Sequence, residues 1–353
     1  MPRILELELG KTAYVIVKEL FRLQSGESLL ITVDSKDGWK AALEVAKAAE
    51  AIGGKVMVAW HSSASGYGKT GDSKHPTPLK AAISDTDAWL ELNKEWLLYS
   101  TPWETAMKKG SRIRYLFMGG LGVEQLHRCV GKINWPAQEA FQNKLAEMTR
   151  NTNTMRLYTE AGTDVTFDNI PSRSITNELR ADVPGPHFLT GQIGWAPREE
   201  TIKGTIVFDG AFSGGGIADI GILTDPIILS VKRGRIVNIE GKREAEIIKS
   251  WIARLDDDRM YNLVHVCYGY NPGARLSGIC TEDERVWGCT GWGIGYQGIM
   301  FDGNFGDAAS HADGICLNTT VYMDGKMIIE KGVPTHPELK YLADECRRGF
   351  KNG

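Results

Sequence analysis

The chain has no Cys-x-x-Cys pair; its six cysteines, at 129, 267, 280, 289, 316 and 346, are scattered. With no export signal in view, that scatter favours reduced thiols over a disulfide framework. No stretch approaches the roughly 20 apolar residues needed to cross a bilayer. The opening Met1-Pro-Arg-Ile-Leu-Glu carries charge early and no long apolar core, so no signal peptide is expected, and the expected compartment is the cytosol. A net charge of −3 leaves no electrostatic case for nucleic acid or an anionic membrane as the main partner. Internal repeats and low-complexity segments are lacking, and so is a complete phosphate loop. Gly68-Lys69-Thr70 ends like one, but Ser63 stands where the first glycine is required, and prolines 76 and 78 follow in place of a helix. Ser213-Gly214-Gly215-Gly216 has no strand–turn–helix context for a nucleophile and reads as a flexible turn.

What is plentiful is glycine, 40 residues of it, concentrated late in the chain. The segment Gly291-Trp-Gly-Ile-Gly-Tyr-Gln-Gly is too glycine-rich for a helix and too aromatic for a solvated linker. It reads as backbone passing close to something. Trp287, Trp292 and Tyr296, interleaved with those glycines, suit either a core or the wall of a pocket for a flat ligand.

At 353 residues two domains are the first expectation. The first half alternates: a helical pattern over 11–24, a buried strand at Ser28–Val33, a helix near 38–52 closed by Gly53-Gly54, and a strand at Lys55–Trp60. Further strand regions are expected at 87–91 with 95–99 and at 113–118, and a helix near 137–150. That succession predicts an α/β domain with a mainly parallel sheet over residues 1–150. Beyond Asn151 short strands dominate, at 155–159, 164–168, 204–210, 226–231 and 235–239, and only Arg243–Leu255 is strongly helical. Turn signals such as Lys232-Arg-Gly-Arg join them, which suits antiparallel pairing in a strand-rich α+β domain over residues 151–353.

Chemistry concentrates in that second region. His311-Ala312-Asp313 heads an apolar run, and His265 is a lone histidine inside Leu263-Val-His-Val-Cys-Tyr-Gly. In a strand, residues two apart share a face, so His311 and Asp313 project into the same space. With His265 opposite them they would set two imidazoles and a carboxylate on one side of a cation, leaving positions open for substrate and, for iron, dioxygen. His61, His75, His127, His187 and His336 lie beside polar residues in loops or at element ends and read as surface or hydrogen-bonded histidines. His187 precedes Thr190–Pro197, a plausible substrate-facing loop.

Several segments together resemble the aminopeptidase T-type metallopeptidase superfamily and, within it, the 2,5-dihydroxypyridine 5,6-dioxygenase branch. They are Glu160-Ala-Gly-Thr-Asp, Thr190–Glu199 with Glu200 through Asp209, Gly241–Ile248, Val264–Ala274, Ser310-His-Ala-Asp and Met323-Asp-Gly-Lys. The match covers most of 155–330, and the first half more loosely. Departures from the two-metal peptidases point to the oxygenase branch: Gln192 replaces a glutamate, His265 replaces another, and a peptidase histidine falls at Gly291. The resemblance implies an Fe(II) site on His265, His311 and Asp313, a small hydroxylated N-heteroaromatic substrate with dioxygen, and a homo-oligomer, at least a dimer. It further implies Tyr99 as the group in the place of the dioxygenases' proton-handling histidine, since Leu97-Leu98 is followed here by tyrosine. A phenol of pKa near 10 can hydrogen-bond a ring hydroxyl but is a poor base at neutral pH. Gln192 is the expected partner for polar substituents, and Trp195 or Trp292 the expected stacking partner for the ring. The alternatives are a hydrolase retaining one Zn²⁺ or Mn²⁺ on the same three residues, and a non-catalytic ligand-binding relative. A general base, Glu282 or Glu284, entering the pocket would favour the hydrolase.

Overall fold

The structure is a computed structural model; it describes residues 4–64, 66–108, 110–214 and 219–352. The expected turn at 213–216 falls largely outside these, although Ser213 and Gly214 close the strand Ala211–Gly214. The chain divides into two compact units, one of residues 1–133 with 178–190, the other of residues 134–177 with 191–353. The helix Trp135–Arg150 is thus grouped with the second unit, while 178–190 returns to the first.

The first unit is built on a five-stranded parallel sheet. Its strand order is Lys55–His61, Ser28–Asp34, Ala88–Glu91, Arg114–Phe117, Gly185–Phe188. Ser28–Asp34 is buried almost throughout, as expected of an inner parallel strand covered on both faces. The expected helix at 11–24 begins earlier and ends sooner: it spans Ile4–Val15, continues as a π-helical turn over Ile16–Leu20, and stops at Arg22, whose φ is 48°. No strand forms over 95–99. The buried carboxylate of Glu91 takes up the backbone there instead, accepting from Leu97 N at 2.6 Å, with the Tyr115 hydroxyl on its other oxygen at 2.6 Å. A side chain thereby does for this apolar run what a neighbouring strand would otherwise do.

The second unit holds an eight-stranded and a seven-stranded sheet, both antiparallel at every pairing. Helix Arg243–Leu255 stands where the sequence pattern puts it. The hairpin at Arg233-Gly234 has both residues at positive φ, 52° and 73°, the turn whose twist matches that of its strands. One face of the seven-stranded sheet packs on aromatic residues of the eight-stranded one. Phe167 meets Trp292 edge-on at 5.6 Å, and Gly314 leaves room for the Phe208 ring, from which a Cβ would be 2.2 Å away. No described helix is long and apolar enough to cross a membrane.

Candidate metal centre

Three neighbouring strands of the seven-stranded sheet, Leu263–Gly269, Cys289–Gly295 and His311–Cys316, carry the centre on the face away from that core. His265 lies opposite Gly293, and Gly293 lies opposite Asp313 on its other side; His311 is opposite Gly295. Directly opposed residues project to the same face, so register alone brings the two ligand-bearing strands to bear across a glycine strand. The glycine is what permits the reach. A Cβ at 293 would sit 2.2 Å from His265 Cε1 and 2.3 Å from Nδ1, so the imidazole lies over bare backbone.

The result is a tight cluster of donors. His265 Nε2 is 3.3 Å from Asp313 Oδ1, and His311 Nε2 is 3.1 Å from Asp313 Oδ2. One ligand atom from each of the three residues can be chosen so that all lie within 4.8 Å of one another. His311 Nδ1 donates to the Tyr296 carbonyl at 2.7 Å, which assigns the proton to that nitrogen and leaves the Nε2 lone pair for the centre. The two rings run nearly parallel, 5.3 Å apart and 11° out of plane, and Phe301 covers the outer face of His265 at 4.6 Å.

Charge follows from burial. Burial lowers the pKa of His265 and favours the neutral imidazole, the ligand form. Burial opposes the charged form of Asp313 too, but the His311 and His265 rings outweigh it and hold the carboxyl well below its ordinary range. His311 is likewise opposed by burial and raised by the charge of Asp313. His265 Nε2, His311 Nε2 and the two oxygens of Asp313 face one another in this buried cluster. Converging buried acceptors of this kind are costly unless a proton or a cation lies among them. Two imidazoles and one carboxylate, with one imidazole oriented by a backbone carbonyl, fit a divalent metal ion.

Of the other expected site residues, Gln192 shares this face: it lies opposite Gly269, and its Oε1 accepts from Arg285 Nη2 at 2.7 Å. Trp195 and Trp292 do not. Trp195 is opposite Val266 and Trp292 opposite Val266 and Gly314, so alternation turns both indoles to the other face, into the core. There Trp292 is fully buried and Trp195 donates Nε1–H to Asn169 at 2.9 Å. Stacking on a ring held at the metal face is therefore not open to them. The segment Thr190–Pro197 is in its centre a buried strand, Gln192–Trp195, rather than a loop. Tyr99 belongs to the first unit, where it is buried at φ 64° with its ring edge-on to Trp103 at 5.4 Å. His187 lies in the strand Gly185–Phe188 and bonds the Val183 carbonyl through Nε2 at 2.8 Å.

The segment Cys280–Arg285 carries Glu282 and Glu284, which the sequence offered only as a general base for the hydrolase alternative. Glu282, Asp283, Glu284 and Arg285 are all buried. Glu284 lies within ligand distance of Asp313 and Cys280, and of His265 and Cys267. Burial, then the charge of Asp313, pushes the Glu284 carboxyl up to about 7 against the pull of Arg285, to which its Oε2 is hydrogen-bonded. The one available signal was composition: four charged residues flanked by Ile279-Cys280 and Val286-Trp287.

Comparison with known proteins shows the family and the fold. The family model for NicX, 2,5-dihydroxypyridine 5,6-dioxygenase, matches residues 12–336. The chain belongs to this family. The 2,5-dihydroxypyridine 5,6-dioxygenase of Pseudomonas putida KT2440 is 24% identical over 297 residues, covering 79% of this chain and 81% of that protein. The solved structure of 2,5-dihydroxypyridine dioxygenase from Pseudomonas putida KT2440 superposes with a TM-score of 0.76 at 19% identity, covering 95% of this chain and 99% of that one. Wild-type AmpT from Thermus thermophilus shares the fold at a TM-score of 0.63 and 15% identity, over 93% and 99% of the two chains.

Proposed function

We propose that this protein is a metal-dependent ring-cleaving dioxygenase acting on a small hydroxylated N-heteroaromatic of the dihydroxypyridine class. The observation that carries the reading is the buried set of His265, His311 and Asp313 in a member of this family. Fe(II) is the ion proposed, because two imidazoles and a carboxylate with open positions suit oxygen-activating iron. When bound, it would supply the redox chemistry that lets an electron-rich hydroxylated ring react with dioxygen.

The chain's own residues have separable tasks. His265, His311 and Asp313 hold the ion, and the Tyr296 carbonyl fixes the tautomer and plane of His311. Phe301, stacked on His265, shields that ring from water. Gln192, held by Arg285, presents its amide on the metal face as a partner for a polar ring substituent. Tyr99 is proposed as a hydrogen-bond donor to a substrate hydroxyl, a role that rests on its place after Leu97-Leu98. A homo-oligomer and a cytosolic location are part of the same proposal.

The hydrolase alternative draws on Glu284, which does approach Asp313. One of its oxygens, Oε2, is held by Arg285, and the match to the dioxygenase family favours the oxygenase reading. Two measurements together test the reading. Replacing any of His265, His311 or Asp313 by alanine should remove bound metal while circular dichroism stays unchanged. Oxygen uptake should match ring consumption mole for mole and cease under argon. Turnover of an amide or cyclic imide at an undiminished rate without oxygen, restored by Zn²⁺ or Mn²⁺, would establish the hydrolase instead.

A further inference from the structure

Glu284 is a buried carboxylate that the proposed metal site does not use, and it lies in two further groups of potential ligands. One comprises His265, Cys267 and Glu284, the other Cys280, Glu284 and Asp313; in each the ligand atoms lie within 4.8 Å of one another. Both groups share a residue with the first site. His265 Nδ1, the ring nitrogen on the opposite side from Asp313, is buried without a hydrogen-bond partner. There are thus donors enough, next to the first ion, for a second.

What stands beside those donors is a cation of the protein's own. The Arg285 guanidinium is 1% exposed, donates through Nη1 to Glu284 and through Nη2 to Gln192 at 2.7 Å. Cys267 Sγ belongs to the same cluster, within 4.8 Å of a carboxylate oxygen of Glu284. A guanidinium is permanently charged and planar, and it saturates carboxylate and amide oxygens that a metal would otherwise take as ligands. A second divalent ion would have to displace it or share a dry cavity with it at close range, and both are unfavourable where the effective dielectric is low.

We propose that Arg285 sets the metal stoichiometry: its guanidinium fills the second cation position formed by Glu284, Cys267 and Gln192, so that the cluster takes one divalent ion. The inference rests on the reading that His265, His311 and Asp313 hold a metal. The latent position, with a thiol, a carboxylate and an imidazole nitrogen, is suited to Zn²⁺ or Co²⁺.

The test is a metal count on the full chain titrated with Co²⁺ and Zn²⁺ and then desalted. Wild type and Arg285→Lys should retain one ion per chain, and Arg285→Met should retain two. The second Co²⁺ should bring a thiolate-to-cobalt charge-transfer band, which Cys267→Ser removes. Arg285→Gln, which keeps an N–H donor toward Glu284 while losing the charge, carries the same expectation should the methionine variant fail to fold. Gln192→Glu with Arg285 intact should stay at one ion; a second ion there would show that the guanidinium is no barrier and would overturn the proposal. So would two ions in wild type, or one ion in Arg285→Met and Arg285→Gln with native circular dichroism. A wild type that takes up no ion would instead refute the metal site beneath it.

Discussion

Gly293→Ala puts the weight of the site's construction on a single methyl group. The His265 ring occupies the space over Gly293, and a Cβ there would lie 2.2 Å from its Cε1 and 2.3 Å from its Nδ1. Carbon atoms in ordinary contact are about 3.5–4.0 Å apart, so the ring has to retreat by over an ångström. It has little room to do so: Phe301 stacks on it at 4.6 Å, and the His265 strand is buried along its whole length. Overpacking of this kind costs roughly 1–3 kcal/mol of stability. For the metal the consequence is larger, because the displaced atoms belong to a ligand. Affinity should fall by at least the roughly 10- to 100-fold seen when a ligand's support is removed. Isothermal titration with Mn²⁺ or Co²⁺, alongside thermal melts with and without metal, measures both effects. Gly10→Ala is the control, since nothing lies within 4 Å of its Cβ position; inside the helix Ile4–Val15 it should leave metal affinity alone and stabilise slightly. Metal affinity in Gly293→Ala equal to wild type would refute the claim that bare backbone beneath His265 is a condition of the site.

Further expectations concern residues on and off the metal face. Tyr99→Phe should lower kcat/KM by roughly ten- to a hundredfold, the scale of one hydrogen bond to a polar or charged partner, with metal content unchanged; unaltered kinetics would reduce this tyrosine to packing. Trp292→Ala should destabilise the fold by about 3–5 kcal/mol in denaturant titrations, as loss of a fully buried indole does. The milder Trp292→Phe should leave KM near wild type, and a large rise in KM would place the indole at the substrate after all. Glu91 supplies a pH dependence: burial pushes its carboxyl up to about 8, against the Tyr115 and backbone hydrogen bonds that favour ionisation. The folded state then binds the proton that the unfolded state releases, so this group's contribution to stability falls as pH rises from about 4.5 to about 8 and is level above that. Glu91→Gln should remove a decline of several kcal/mol over that window in urea titrations; the same slope in both proteins would show that Glu91 stays ionised in the fold.

The sequence by itself determined those parts of the molecule that depend on local pattern. Alternation in Leu263–Gly269 and His311–Cys316 placed His311 and Asp313 on one face, because the side-chain period of a strand is two whatever its neighbours do. The amphipathic stretch Arg243–Leu255 specified its own helix, and Arg233-Gly234 its own hairpin turn. Periodicity could not reveal which strands become neighbours. That Gly293 lies between His265 and Asp313 is a matter of register across three strands distant in the chain, and only that register turns a glycine-rich segment into the floor of the candidate metal centre. The same register decided against Trp195 and Trp292, whose odd spacing from Gln192 and Gly293 along their strands puts them on the opposite face. At Leu97–Tyr99 an apolar run that reads as a strand becomes a turn, because a buried glutamate from the preceding strand satisfies its backbone. At Glu282–Arg285 four consecutive charged residues, two of them offered by the sequence only as a general base, are buried beside the centre. A charged residue inside a protein is stabilised by its partners, and the partners of Glu284 and Arg285 include residues from other strands, so only the tertiary structure could decide that they belong to the site.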